Sequence, residues 1–371
     1  MIAIGRGYSL RQMIRTAAYR AVTPVLSVFL AFLVSAAIII AVGTDPIVAF
    51  GSMLNGAFGS QTALATTGVR MTPILFTGLA VAVSFRAGIF NVGAEGQLYL
   101  GAAFGAAVAL LPIGLPAFIH IPLALIAGFI GGAAWAFVPG YLRAYRGVSE
   151  VVTTLMLNFV AIQLVSYLVD PLVGPIGERG AAYAQSAVID PAAKLPILLR
   201  GTSLHAGLIL GLALAVALWI LIGYTRLGFR MRMLGANPIA ARFAGVKSAR
   251  EIMTVMLLSG GIAGLAGAVE VIGLRYRLFD HFSPGYGYDG IAVALLANSN
   301  PLGVILSSGF FAALRAGANS MQQATGIETS VVLIIQALTI LFLIFRPLRD
   351  WIGSRAGRPP RLAQDSLIDA A

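Results

Sequence analysis

Long apolar segments alternate with shorter polar ones over most of the chain. A helix needs about 20 mostly apolar residues to cross the ~30 Å hydrocarbon core of a bilayer. The pattern therefore predicts an all-α polytopic membrane protein with about ten transmembrane helices. Two of the segments, 71–87 and 289–299, are short, which indicates broken or tilted helices. The ten segments are 21–43, 71–87, 93–111, 116–139, 150–169, 204–223, 252–273, 289–299, 302–318 and 330–346.

The polar segments between and beyond these spans define the predicted domain organisation. A basic cytoplasmic N-terminus (1–20) precedes a transmembrane domain (21–346). Within that domain, 170–203 is rich in Pro and Gly and is expected to form an extracytoplasmic loop, whereas 224–250 is a long basic cytoplasmic loop. The cytoplasmic tail 347–371 is polar and expected to be disordered. The uncharged segment 21–43 is longer than the 7–15 apolar residues usual in a signal peptide, which favours a retained first span.

Composition agrees with a membrane protein and excludes several other classes. Hydrophobic residues make up 58% of the chain and charged residues 11%, against about 25% charged residues in soluble domains. With no cysteine there is no disulfide, zinc–thiolate site or cysteine nucleophile. The three histidines, His120, His205 and His281, are scattered. We therefore predict no metal site and no cofactor.

The net charge of +11 is explained by membrane topology rather than by nucleic-acid binding. If both termini are cytoplasmic, 18 of the 25 basic residues lie inside, six lie outside, and Arg315 lies within a span. Basic residues concentrate on the cytoplasmic side of membrane proteins. The distribution therefore supports ten spans with cytoplasmic N- and C-termini.

Common nucleotide and hydrolase motifs do not fit the chain. A Walker A loop ends in Gly-Lys-Ser/Thr, but Lys194 follows Ala193 and Lys247 follows Val246. The HExxH motif is absent. A GxGxxG string occurs at 285–290, but it follows a predicted extracytoplasmic loop and not a β-strand, as a dinucleotide site requires. We therefore expect a non-enzymatic protein.

The segment 86–101 carries polar residues between two apolar segments. Asn91 and Glu95 are four residues apart and would share a face of a helix, with Gln97 close by. An acidic group at bilayer depth is costly unless it faces protein or water, so these residues are candidates for the lining of a polar pathway. The alternative is a helix start, with Asn91 as the cap and Glu95 favouring the helix dipole.

A similar segment occurs in the second half of the chain. Residues 283–303 are again Gly-rich and are interrupted at Asn298. Segments 147–159 and 326–338 also resemble each other, and they place Asn158 and Gln336 in the middle of spans. Interrupted segments at matching positions indicate an inverted repeat around a central pathway. Asn91, Glu95, Asn158, Asn298 and Gln336 are the predicted pathway residues.

Other residues within spans receive simpler interpretations. Gly260, Ala263, Gly264 and Gly267 form a small-residue stripe that permits close helix packing. Glu270 lies near the outer end of its span, where it would reach interfacial water, and Arg315 would reach outward in the same way. In this layout Glu95, Glu270 and Asp289 lie at different depths, which argues against a membrane-embedded enzyme.

The basic loop contains a short isolated helix between Gly235 and Gly245. Asn237 is a good N-cap, Pro238 suits the first helical position, and Gly245 suits the end. Such a helix can dock into a soluble partner. The alternative is a helix that rests on anionic lipid through Arg242, Lys247 and Arg250.

Three strings resemble the permease subunits of bacterial ABC importers, in the nucleoside and simple-sugar branch of the ribose and branched-chain amino-acid permease family. These strings are GIFNVGAEGQLYLGA, GANPIAARFAGV and GYGYDGIAVALLANSNPLG, and the resemblance covers about 20–346. It implies a plasma-membrane permease that pairs with a second, related permease in a heterodimer. It also implies a cytoplasmic ABC ATPase and an extracytoplasmic substrate-binding protein as partners. By this resemblance Gly235, Asn237, Pro238, Ala240, Ala241 and Gly245 would form the ATPase-coupling segment.

The leading hypothesis is thus a permease half that moves a nucleoside or simple sugar and is driven by a separate ATPase. An ion-coupled secondary transporter or channel for a small polar solute is the alternative, with Glu95 as its candidate coupling group. A membrane-embedded enzyme is the third hypothesis. The sequence does not distinguish a nucleoside from a sugar.

Overall fold

The computed structural model describes residues 10–112 and 114–344, and the side chains of residues 25–112 and 114–342. Within these ranges the regular structure is helical and no strand forms. The predicted disordered tail 347–371 lies outside the described residues. The α-helices are α1 (Leu10–Ala41), α2 (Pro46–Phe58), α3 (Gln61–Arg86), α4 (Ala94–Ala109), α5 (Ala117–Arg146), α6 (Glu150–Leu168), α7 (Gly207–Tyr224), α8 (Arg226–Ala236), α9 (Pro238–Phe243), α10 (Ser248–Glu270), α11 (Tyr286–Leu296), α12 (Pro301–Thr325) and α13 (Ser330–Ile344).

The helices divide into two compact units. Among the described residues, one consists of those up to Pro46 and from Glu328 onward, and the other extends from Ile47 to Ile327. In the first unit, α1 packs against α13. The second unit contains the remaining helices and the loops between them, and it includes most of the predicted pathway residues.

Six of the described helices are long and apolar enough to cross a membrane, and three shorter ones are also apolar. Each of the ten predicted segments coincides with a helix, so the chain is an all-α, multi-pass membrane protein. The long helices are Gln61–Arg86, Ala117–Arg146, Glu150–Leu168, Gly207–Tyr224, Ser248–Arg275 and Pro301–Thr325, and the shorter ones are Val25–Ala41, Pro46–Phe58 and Ser330–Phe342.

In the first half one prediction was wrong and one helix was not predicted. The segment 71–87 is not short, because α3 begins at Gln61. Its first turns are more polar: Ser60 caps the helix, and the buried Thr67 donates to the carbonyl of Ala57 at 2.8 Å. The short apolar helix α2 was not predicted, since its glycines and polar residues interrupt the apolar pattern. Of the two predicted short helices, only α11, with 11 residues, is short.

The core of the larger unit is formed by α4, α5 and α10. The small-residue stripe of α10 lies at this contact, as predicted: a Cβ at Gly264 would lie 2.9 Å from the Cα of Gly132 in α5. Close backbone approach of this kind is typical of helix pairs in membranes. The three helices therefore form a rigid framework beside the polar residues described below.

The connections group at two opposite ends of the larger unit. The predicted extracytoplasmic loop, 170–203, packs on the end of α4 and on the turn after α10, where the amide of Asp190 donates to the carbonyl of Ala109 and that of Leu195 donates to the carbonyl of Ile272. At the other end the last turn of α3 meets the loop after α11, since Arg86 Nε donates to the carbonyl of Ser299 at 2.9 Å. The basic helix α8 belongs to this second end, which we call the basic end.

Candidate functional site

Two short helices, α4 and α11, meet at their N-termini. Glu95, in the first turn of α4, is buried, and its Oε2 accepts a hydrogen bond of 2.6 Å from the amide of Gly287, in the first turn of α11. A Cβ at Gly287 would lie 2.8 Å from the carbonyl carbon of Ala94, so only glycine allows this approach. The first amides of a helix lack intrahelical partners and carry partial positive charge. The Glu95 carboxylate therefore caps α11 across this helix junction.

The N-terminus of α4 is capped in turn by a residue from α6. Asn158 is fully buried, and its Oδ1 accepts from the amide of Gly96 at 2.9 Å. Its Nδ2 donates to the carbonyl of Val92 at 3.0 Å and lies 3.4 Å from the hydroxyl of Tyr288. Asn158 thereby fixes the position at which α4 begins and links α6 to both sides of the junction.

Asn91 forms a network beneath the same helix start. Its Nδ2 donates to Gln97 Oε1 and to Ser259 Oγ, each at 2.9 Å, and its Oδ1 accepts from the amide of Gly93 at 3.0 Å. Ser259 in turn donates to the carbonyl of Ala80. The predicted alternative, in which Asn91 is the helix cap, is wrong in detail because α4 begins at Ala94 and its N-cap is Gly93. Asn91 instead joins the segment before α4 to α3 and α10.

A buried ion pair stands at the start of α11. Arg315 Nε lies 2.7 Å from Asp289 Oδ2, and both side chains are nearly buried. The Arg315 guanidinium also lies over the ring of Tyr286, 5.8 Å from its centre. The prediction that Arg315 reaches outward was therefore wrong. Asp289 is two residues from the Glu95 contact at Gly287, so the expectation that Glu95 and Asp289 lie at different depths was also wrong.

Glu270 likewise differs from its prediction. It is 1% exposed and pairs with Arg275, whose Nε lies 3.3 Å from Glu270 Oε1. The π-helical turn Val271–Arg275 that follows α10 sets this spacing. Glu270 therefore has an internal cationic partner and does not depend on interfacial water.

The structure brings three of the five predicted pathway residues together within the larger unit. Asn91, Glu95 and Asn158 surround the first turn of α4. Asn298 follows the C-terminal end of α11, is exposed at the basic end and has a φ of 49°. Gln336 lies in α13, in the other unit, where it is buried and its Nε2 has no hydrogen-bond partner among the described residues.

The short helix in the basic loop forms as predicted. Asn237 Oδ1 accepts from the amides of Ile239 and Ala240, each at 3.0 Å, and Pro238 occupies the first helical position of α9. Gly245 follows with a φ of 81°. The helix exposes two apolar side chains four residues apart, Ile239 (70% exposed) and Phe243 (90% exposed), whereas Ala241 packs inward.

Gly235, at the end of α8, contacts the connection between α3 and α4. A Cβ at Gly88 would lie 3.2 Å from the Cα of Gly235, and one at Gly235 would lie 3.0 Å from the Gly88 nitrogen. This backbone contact joins the basic loop to the segment that leads to Asn91 and Glu95. Of the six residues in the predicted coupling segment, Gly235 is thus the one that contacts the connection leading to the junction.

Several residues of the junction were missed from the sequence. Ser259, Tyr288 and the Asp289–Arg315 pair come from helices far apart in the chain, and no local pattern connects them. The described residues contain no cluster of three metal-ligating side chains. The polar atoms of the junction are largely engaged with one another: Glu95 accepts from the first turn of α11, and Asp289 pairs with Arg315.

Fold and junction together define a multi-pass helical membrane protein with a polar interior formed by interrupted helices. Residues 63–344 match the family described as branched-chain amino acid transport system / permease component, and the chain belongs to that family. It is similar to the glucose ABC transporter permease protein TsgB13 of Haloferax volcanii, with 41% identity over 87% of this chain and 86% of the relative.

Two further relatives carry nucleoside names. The guanosine ABC transporter permease protein NupP of Bacillus subtilis is 36% identical over 86% of this chain and 92% of its own length. The nucleoside ABC transporter permease protein NupB of Lactococcus lactis subsp. cremoris is 31% identical over 87% of this chain and 90% of its own length. No solved structure matches the chain.

Proposed function

We propose that the protein is the permease subunit of an ABC importer that takes up a nucleoside or a simple sugar across the plasma membrane. A separate cytoplasmic ATPase would hydrolyse ATP, and an extracytoplasmic binding protein would deliver the solute. The names of the relatives support this substrate class, since they include glucose, guanosine and nucleoside permeases. The observation that carries the proposal is the junction, because polar residues inside a membrane protein mark solute pathways.

The proposed pathway passes the junction. Asn91, Glu95, Asn158, Asn298 and Gln336 remain its candidate residues, and Tyr288 joins them because its side chain is 39% exposed beside Asn158. A partly exposed tyrosine next to a carboxamide offers a stacking surface and a hydrogen bond, which suits both a nucleobase and a sugar ring. Alternating access would then open and close the contact between α4 and α11.

We further propose ten spans with both termini in the cytoplasm and an inverted repeat relating α4 to α11. The grouping of Arg86, Arg143, Arg146 and the α8 arginines at one end of the larger unit supports this orientation. The short lengths of α4 and α11 and their contact through N-termini support the repeat.

ATPase coupling is proposed for 235–245. Ile239 and Phe243 form an exposed apolar pair on α9, and an exposed aromatic anchor is typical of a docking helix. The contact of Gly235 with Gly88 gives the docked helix a direct connection to the junction.

The coupling proposal is tested by Ile239→Ala/Phe243→Ala in a complex expressed with its ATPase. Loss of two such anchors is expected to cost at least ~2 kcal/mol of binding, about thirty-fold in affinity. Leu172→Ala, an 83% exposed apolar residue in the opposite loop, is the matched control. Undiminished ATPase co-purification and uptake in the double variant would contradict the assignment.

The transport proposal is tested by uptake of radiolabelled guanosine and glucose into proteoliposomes that contain the complete complex. We expect uptake of one of them to require ATP. Glu95→Leu should abolish it, whereas Glu95→Gln, which retains an acceptor for the Gly287 amide, should keep a large part. Uptake that persists without the ATPase and collapses with the proton gradient would indicate the ion-coupled alternative instead.

A second, related permease is proposed to cover the exposed face of α6. Phe159 and Tyr167 are exposed on this face, and so is Gln163, well inside the span. An amide facing lipid lacks hydrogen-bond partners, so this face is better suited to a protein neighbour or a polar pathway. Crosslinking from Gln163→Cys in the cysteine-free chain should capture a different permease; capture of a second identical chain would show a homodimer.

A further inference from the structure

A groove of about 440 Å³ opens where α7 ends and α8 begins. It is lined by three arginines, two aromatic side chains and the turn that joins the helices: Arg226, Arg230, Arg232, Tyr224, Phe229, Gly223 and Thr225. None of these residues belongs to the junction or to the α9 docking surface.

The cationic side chains of the groove are only partly neutralised. Arg230 pairs with Glu251, 3.0 Å away on α10. Arg226 and Arg232 are exposed and have no acidic partner in the part of the chain that the structure describes. Thr225 caps α8, so the positive end of that 11-residue helix also faces this turn. The groove therefore favours an anion.

Apolar and aromatic residues beside the groove indicate that the anion would lie at the membrane surface. The 18-residue helix α7 is about 27 Å long, which places Tyr224 at the membrane–water interface of the basic end. Tyr224 is 74% exposed and packs edge-on against Trp219, with ring centres 5.3 Å apart. Val216, Trp219 and Ile220 form an exposed apolar strip that leads from the bilayer into the groove. Tryptophan and tyrosine are enriched at this depth.

We propose that this groove binds one anionic phospholipid. Its headgroup phosphate would lie between Arg226 and Arg232, and an acyl chain would lie along Val216, Trp219 and Ile220 of α7. A soluble anion would use the arginines but not the apolar strip, and a docking protein would leave the strip in the bilayer uncovered. Continuity of the cationic groove with a lipid-facing surface favours the lipid.

Trp219 provides a local probe of the bound lipid. The chain has three tryptophans, and Trp135→Phe/Trp351→Phe leaves Trp219 alone at the edge of the groove. The full chain is reconstituted into phosphatidylcholine vesicles of two kinds. One kind carries brominated phosphatidylglycerol, and the other carries the same amount of brominated phosphatidylcholine. Bromine on either lipid quenches the fluorescence of a tryptophan that it contacts. We expect phosphatidylglycerol to associate about thirty-fold more strongly, since each of the two unpaired arginines contributes about fivefold.

Arg226→Gln/Arg232→Gln should bring this preference close to one, whereas the control Arg146→Gln/Arg242→Gln, which removes equal charge from the same end, should preserve it. Equal quenching by both lipids in the parent protein overturns the proposal. Loss of the preference on adding inorganic phosphate shows a free-anion site instead. If the groove variant keeps the lipid preference but no longer co-purifies with the ATPase from vesicles of pure phosphatidylcholine, the groove is a protein-docking site and the lipid proposal is wrong.

Discussion

The Asp289–Arg315 pair gives the sharpest test of the junction. Arg315→Gln removes the cation and leaves the Asp289 carboxylate buried without its partner 2.7 Å away. Breaking a buried pair in this way costs about 3–5 kcal/mol, because an uncompensated charge remains. Asp289→Asn should be less costly, since it leaves an arginine that also lies near the carbonyl of Pro284 and the ring of Tyr286.

The double variant Asp289→Asn/Arg315→Gln separates pairing from simple loss of packing. We expect it to recover at least ~2 kcal/mol relative to the sum of the single variants, because neutral groups replace both charges. Thermal and denaturant unfolding in detergent, followed by tryptophan fluorescence, measures the four proteins of the cycle. Arg146→Gln, which has no acidic partner in the described part of the chain, is the control. Strict additivity within ~0.5 kcal/mol would refute the reasoning.

Three further predictions concern packing and capping. Gly264→Ala should destabilise the protein by about 1–3 kcal/mol, because its Cβ would lie 2.9 Å from the Gly132 Cα, whereas Gly51→Ala, which has open space, should not; unfolding midpoints decide this. Asn158→Leu should cost about 1–3 kcal/mol for each of the two backbone groups that it leaves unpaired. Asn158→Asp should cost less, because it retains the bond from the Gly96 amide. Equal losses of stability in the two variants would contradict the capping role. Arg143→Gln removes the 3.1 Å partner of Glu150, which is only 7% exposed, and should cost about 1–3 kcal/mol in the same assay; this is less than the cost of Arg315→Gln, because Arg143 is 41% exposed and Glu150 keeps its bond from the Phe90 amide.

Apolar segment length was sufficient to locate the helices. Each predicted span coincides with a helix because burial in a bilayer requires a continuous apolar stretch. The α9 helix was predicted with its cap because Asn237 and Pro238 act locally, through hydrogen bonds to residues two and three positions away. The small-residue stripe around Gly264 was also predictable, because helical spacing alone places its members on one face.

The junction was only partly predictable. Asn91, Glu95 and Asn158 were identified as unusual because they are polar within apolar surroundings. Their partners were not identified, since Gly287 and Asn158 meet α4 through tertiary contacts with sequence separations of 192 and 62 residues. For the same reason Arg315 was placed near the lipid interface, although Asp289 holds it inside. Helix α2 and the first turns of α3 were missed because Gly, Ser, Thr and Asn residues interrupt their apolar pattern, and the hydroxyls of Ser52 and Thr67 bond to helix carbonyls, which the sequence does not reveal.

The helix junction also constrains the order in which the protein is assembled in the membrane. Helix α4 has 16 residues and carries Glu95 in its first turn, so it is a poor substrate for insertion by itself. The groups that satisfy its first turn, on α6, α10 and α11, are all synthesised after it. Stable insertion of α4 therefore has to wait for the second half of the chain. A ribosome-bound chain that ends before α11 should hold α4 loosely, exposed to membrane proteases and insertion chaperones.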